Sequence, residues 1–306
     1  MNDSNKPDFL IVGAAKSGTT ALWHWLKQNT GVYVPAVKEP HYFCFADGNV
    51  PYLGNELDPF YRSSLVTHAA AYSALWQDAR PGQIKGEASP GYLYYPASVA
   101  RIVAMNPRCK IIALFREPAE RAFSQFMHHV RDGYEPMRSF EDALTAEAER
   151  SAKGWWWAYR YRDAGHYGPQ WQHYQQAFPQ EQLLALLYDD LRDRPEETYR
   201  QVCAFLGVNA GRADFATRHN NTESLTQVPN AGALSRLLRH GSTISSMARQ
   251  VLPQQITSDL KSKLQSLNSH KAPELKAETA AELRRHFADD VQQLSQMIGR
   301  DLGHWA

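Results

Sequence analysis

The segment FLIVGAAKSGTTALWHWL, Phe9 to Leu26, constrains the fold more than any other part of the chain. An apolar run ends in Gly13, a short loop with a second glycine follows, and Thr19 to Gln28 carries apolar residues at helical spacing. In the order strand, glycine loop, helix, the loop N–H groups and the positive end of the helix dipole converge on one point, where an oxyanion is favoured. Gly13 to Gly18 has the glycine spacing of G-x-x-x-x-G-K-[ST], yet Thr19 stands where that motif has its lysine and Lys16 lies inside the loop. A lysine inside the turn lies beside the bridging oxygen of a bound group instead of reaching to terminal phosphates. The missing Lys-Ser/Thr pair also removes the usual Mg²⁺ arrangement. Taken alone, the segment also fits a plain strand-to-helix turn with a solvated lysine.

Further along, apolar β-like runs alternate with helical patterns, which predicts an α/β fold with a parallel sheet covered by helices. KIIALF (Lys110 to Phe115) reads as a second buried strand, followed by a helix from Pro118 through His129. LLALLY (Leu183 to Tyr188) reads as a third, and Pro195 opens a helix that Gly207 closes. From about Ala231 to the end the pattern is mostly helical, with Glu274 to Ile298 the longest candidate, and Ser242 to Ser269 is Ser- and Gln-rich enough for a mobile connection.

Composition narrows the function. With 306 residues, 43% of them hydrophobic, the chain can build a sizeable core. Its 33 basic and 32 acidic residues leave a formal charge of +1, so no global footprint for nucleic acid or an anionic membrane exists and any anion site is local. Cys44, Cys109 and Cys203 are odd in number and far apart, which fits buried reduced thiols. The first apolar run is too short for a signal peptide or a membrane span, so a soluble, cytoplasmic protein is expected. The 12 histidines show no H-E-x-x-H pattern, and no metal is expected.

A second constellation, LFREPAERAFSQF, follows the Lys110 to Phe115 strand. Arg116 falls at a strand's C-terminal end, where open α/β sheets bind ligands. Arg116 could fork onto a phosphate while Ser124 on the next helix donates a hydroxyl. An ion pair of Arg116 with Glu117 or Glu120 is the alternative, and Arg121 reads as part of a solvated or ion-pair face. GWWWAYRYR concentrates Trp155, Trp156 and Trp157 with arginines, suited either to stacking on a planar or sugar acceptor or to core packing. Asp189 and Asp190 could pass for a Walker-B end but read better as structural or capping groups.

Lys16-Ser17-Gly18-Thr19-Thr20 resembles the phosphosulfate loop of sulfotransferases that use 3′-phosphoadenosine 5′-phosphosulfate (PAPS), and Arg116 through Ser124 resembles their 3′-phosphate motif. The resemblance extends through KEPHYF (Lys38 to Phe43), GEASPGYLYYP, GHYGPQW, LYDDLRDRPEETYRQVCAFLGV and IGRDLGHW. It is nearest to the branch of glycosaminoglycan sulfotransferases and their bacterial relatives. It implies one domain over residues 1–306 and a P-loop-like three-layer fold. In that family the leaving phosphate oxygen gains charge as SO₃ moves in line, and Lys16 is placed to stabilise it. N–H groups of Ser17 to Thr20, with the Thr19 and Thr20 hydroxyls, would hold the 5′-phosphate, and Arg218 would border the 3′-phosphate or adenine. By resemblance Glu39 is the base for the acceptor hydroxyl or amine.

His41 competes for that role, because imidazole titrates near neutrality and an extended segment would turn both side chains to one face. A packing role for His41 is the other reading, and Lys38 reads as a solvated charge or a substrate contact. Glu87 reads as an active-site or supporting group and Ser89 as a helix cap. Ala88 stands where some glycosaminoglycan enzymes carry lysine. The resulting expectation is sulfuryl transfer from PAPS, leaving adenosine 3′,5′-bisphosphate, to a carbohydrate or other small acceptor. The alternatives are a P-loop kinase or nucleotide hydrolase, disfavoured by Thr19, and a non-catalytic nucleotide-binding module.

Overall fold

The computed structural model describes residues 5–51, 62, 64–216, 227–229 and 269–305. Arg218 and most of the stretch from 231 onward, including nearly all of the Ser- and Gln-rich segment, lie outside the described residues.

Five parallel strands form the central sheet: β1 (Phe9–Gly13), β2 (Val32–Tyr33), β3 (Ile84–Ala88), β4 (Lys110–Phe115) and β5 (Leu183–Leu187), in the order β2-β3-β1-β4-β5. Strand period decides the layering. Leu10, Val12, Ile111 and Ala113 face one hydrophobic cluster, whereas Phe9, Ile11, Ile112 and Leu114 face the other. The second face is covered by α1 (Thr19–Lys27) and by the helix Pro195–Leu206, through Leu22, Trp25, Leu26, Tyr199 and Val202. The first is covered by α2 (Pro118–Asp132), α3 (Tyr167–Ala177) and α4 (Ala277–Ile298), through Phe126, Trp171, Phe287 and Leu294. The result is the expected three-layer α/β architecture.

The three strands read from apolar runs are present, except that Tyr188 leaves β5 and opens the short helix Tyr188–Asp193. Strands β2 and β3 were not expected. IKGEA in β3 mixes Lys85 and Glu87 with small residues, so no apolar run marks it. It forms because parallel pairing with β1 sets Gly86 against Phe9 and Ala88 against Ile11. α2 runs past His129 to Asp132 before Gly133 closes it in the left-handed conformation. The three cysteines are buried and free.

Because β1 lies between β3 and β4, the chain changes direction of winding there. Its C-terminal edge is therefore the crevice where such sheets bind ligands.

Candidate active site

Gly13, Ala88, Phe115 and Leu187 end their strands at that one edge. After β1 the loop runs Ala14 to Gly18, and Gly18 caps α1 with φ 91° and no side-chain hydrogen bond. Only glycine fits: the backbone is left-handed, and a Cβ would meet Leu191 Cδ2 at 3.0 Å and Tyr188 Cδ2 at 3.4 Å. The first N–H groups of α1 consequently face the loop with no cap. Ser17 Oγ is buried without a hydrogen-bond partner among the described residues, which is the kind of group a bound anion satisfies.

Lys16 has φ 65° inside this turn. Burial first, then the charge of Arg131, lowers its ammonium pKa to about 8, against the opposing pull of Asp132 and Glu39. The C-terminal end of α2 therefore reaches the loop electrostatically, which the sequence reading did not anticipate. There, Arg131 Nη2 contacts His128 Nδ1 at 2.8 Å, and burial followed by Lys16 holds His128 well below its ordinary pKa. Helical spacing carries the signal, since Ser124, His128 and Asp132 recur every fourth residue.

Glu39 and His41 do meet, with Glu39 Oε2 3.8 Å from His41 Nε2. The segment is not extended, however: Glu39 and His41 both have left-handed backbones, φ 55° and 49°. The approach comes from a coiled turn in which Pro40 O accepts from Val66 N at 2.8 Å and His41 O from Cys44 N at 3.0 Å. Lys38 is neither a solvated charge nor a bystander. Its Nζ donates to Thr20 Oγ1 at 2.9 Å and to Glu39 Oε1 at 2.7 Å, tying this turn to α1. Burial works to raise the Glu39 pKa, but Lys38 and His41 outweigh it and hold the carboxyl well below the usual range.

His41 is 3% exposed and its ring lies edge-on to Trp156 at 5.4 Å. Trp156 and Trp157 are buried in one small cluster with Ala15 of the loop, Tyr134 and Tyr159. Trp155 is half-buried and carries the Arg150 guanidinium 5.0 Å from its ring. The tryptophan run therefore packs as a wall behind His41, with Trp155 keeping the most accessible ring.

Glu87 is 1% exposed at the end of β3 and accepts three hydroxyls: Ser89 at 2.8 Å, Tyr92 at 2.5 Å and Tyr72 at 3.2 Å. Burial pushes its pKa up to about 7 despite those donors. Ser89 is not a helix cap. Its hydroxyl also accepts from His41 N at 3.1 Å, and the helix at Gly91–Tyr94 is preceded by Pro90 with no side-chain cap.

Arg116 emerges from β4 and pairs with Glu120 Oε2 at 3.0 Å, while its guanidinium lies 4.5 Å from the Tyr188 ring centroid. Glu117 instead caps α2, accepting from Ala119 N and Glu120 N. Glu120 and Ser124, four residues apart, share a helix face, so Arg116 lies along the face that carries Ser124. Tyr188, beside Gly18 and under Arg116, joins the glycine loop to the start of α2, where the sequence pattern predicts a strand residue. Arg121 does not lie on a solvated or ion-pair face. It is 1% exposed and donates to the Tyr161 carbonyl, because the inner side of α2 is covered by the turn at 157–165. Asp189 and Asp190 serve structure, holding Arg192, Arg194, Arg300 and His304. Among the described residues no cluster of three or more metal-ligating side chains and no helix long and apolar enough to cross a membrane occurs.

A lysine-bearing loop at the C-terminal end of β1, an arginine at the end of β4 and an acid–histidine turn beside them match one family. The chain belongs to the sulfotransferase domain family, whose model matches residues 6–293. A sulfotransferase structure from Alicyclobacillus acidocaldarius is 29% identical, with a TM-score of 0.76 and 98% of each chain covered. Among curated relatives, mouse bifunctional heparan sulfate N-deacetylase/N-sulfotransferase 4 is 25% identical over 98% of this chain and 31% of its own length. Human heparan sulfate glucosamine 3-O-sulfotransferase 3B1 is 25% identical over 97% of this chain and 64% of its own length. The chain thus spans about a third of the first relative and under two thirds of the second.

Proposed function

We propose that the protein transfers a sulfuryl group from PAPS to a hydroxyl or amine of a carbohydrate or other small acceptor. The observation that carries this reading is Lys16 inside the loop, with Thr19 at the position of the kinase lysine, within reach of the Glu39 and Asp132 charges. The residues fit the donor: the uncapped N–H groups of α1 and the Ser17 Oγ, unpartnered among the described residues, suit its 5′-phosphate, with Gly18, Thr19 and Thr20 lining the turn. Arg116 and Ser124 suit the 3′-phosphate, with Arg218 assigned to the same side by resemblance alone.

In this mechanism Lys16 donates to the bridging oxygen as charge grows on it during transfer. A fixed donor of this kind contributes about 3–4 kcal/mol to lowering a barrier. Glu39, ionised throughout the neutral range because Lys38 and His41 outweigh burial, takes the acceptor's proton. His41 orients that carboxylate from 3.8 Å, and the buried tryptophans at its back exclude water. Transfer needs no residue to supply a metal ligand. Calorimetric titration tests the donor assignment: adenosine 3′,5′-bisphosphate should bind in EDTA and more tightly than ATP. Tighter binding of ATP with Mg²⁺ would return the site to the kinase class.

A further inference from the structure

The turn that carries Glu39 and His41 is held in an unfavourable shape. A left-handed backbone at a non-glycine residue is unfavourable and persists only when its surroundings impose it. Two such residues, φ 55° and 49°, stand one apart at Glu39 and His41. One tether is Lys38, rooted on Thr20 of α1. The other begins at the His41 N–H, which donates to Ser89 Oγ at 3.1 Å.

A hydroxyl has one proton. At Ser89 it goes to Glu87 Oε2 at 2.8 Å, which leaves the oxygen's lone pairs for His41. Glu87 is itself fixed, since Tyr92 and Tyr72 donate to its other oxygen and β3 pairs it with Leu10 of β1. Among the described residues it forms no ion pair, so its buried charge is met by three hydroxyls alone. Burying an ion without a counter-ion is expensive, and a neutral side chain of equal volume would fill the space. What the carboxylate adds is the direction of the Ser89 hydroxyl.

We propose that Glu87 is a positioning residue: acting through the Ser89 hydroxyl and the His41 backbone, it holds the Glu39–His41 turn in the shape that receives the acceptor's proton. The inference rests on the proposed transfer reaction and adds to it a line of force from the sheet to the base. Glu87 touches neither donor nor acceptor in this account.

The test is a set of four variants assayed at pH 8: Glu87→Gln, Ser89→Ala, Ser89→Thr and the double Glu87→Gln/Ser89→Ala. Since an ångström of misplacement can cost up to about 100-fold, the first two should lower kcat by roughly 10- to 100-fold. The donor KM and the affinity for adenosine 3′,5′-bisphosphate should stay within about twofold. Ser89→Thr keeps the hydroxyl and should retain nearly full kcat. The double variant should be no slower than Ser89→Ala, because one residue acts through the other. The His41 amide should exchange with solvent faster in Glu87→Gln and Ser89→Ala than in the wild type. Wild-type kcat in Glu87→Gln, or multiplied losses in the double variant, would overturn the proposal. If Glu87→Gln fails to fold, the contrast of alanine with threonine at position 89 decides it. A wild-type protein that transfers no sulfate from PAPS would instead sink the functional reading itself.

Discussion

Lys16 carries a positive charge in a place that disfavours it, and the nucleotide is what would restore it. With a free-protein pKa lowered to about 8, the ammonium is present at neutrality and lost as pH rises through that value. In the proposed mechanism the protonated form is the active one, so kcat/KM should fall above about pH 8, and Lys16→Arg should remove that limb at some cost in rate. Lys16→Ala should lower turnover roughly 10²–10³-fold with little change in product-nucleotide affinity. Glu39→Gln should lower transfer about 10²–10⁴-fold and His41→Ala much less; the reverse order would make His41 the base. Glu87 titrates with a consequence for folding. Its pKa is raised from 4.5 to about 7 in the fold, so its contribution to stability is full below 4.5 and lost as pH rises through 7. Glu87→Gln should flatten that part of a melting-temperature profile against pH. Lys16 and Arg116 were legible as site candidates because charge type and motif spacing mark them, and Glu39 through the family resemblance of KEPHYF. The part played by Lys38 and Ser89 was not, since it depends on two left-handed turns that no residue-type preference announces.

At the scale of elements, β4 and α2 supply one continuous structure that begins at Arg116, passes Ser124 and ends beside Lys16. Arg116→Ala should weaken adenosine 3′,5′-bisphosphate more than AMP, because only the former has the phosphate this guanidinium would grip; equal losses in a calorimetric titration would reject the assignment. The far end of α2 leads into a buried pair, Glu135 with Arg150 at 2.6 Å, whose carboxylate also accepts from Tyr161 at 2.5 Å. Both side chains are at most 4% exposed. Removing one partner strands the other charge, so Glu135→Ala should destabilise the fold by about 3–5 kcal/mol in a denaturant titration. The helix at Pro195–Leu206 and strands β1 and β4 were readable from proline, glycine and apolar runs. Strand β3 was hidden because its pairing with β1 depends on long-range burial, while its own residues after Ile84 are charged or small.

For the whole molecule, the sheet order brings five strand ends to one edge, and every group assigned to the nucleotide among the described residues follows one of those ends. A segment pattern alone shows that strands and helices alternate. It does not show that β1 is central, which is what turns two separated motifs into one crevice. In the proposed function the lysine displaced into the loop serves sulfuryl transfer. The most direct measurement gives purified protein ³⁵S-labelled PAPS and a panel of sugar hydroxyl, sugar amine and small-metabolite acceptors in the presence of EDTA, with Lys16→Ala run in parallel. Transfer of label to at least one acceptor class by the wild type, reduced at least about 100-fold in the variant, is the predicted result. Phosphoryl transfer from ATP with no sulfate transfer to any acceptor, or equal sulfate transfer by both proteins, would contradict it.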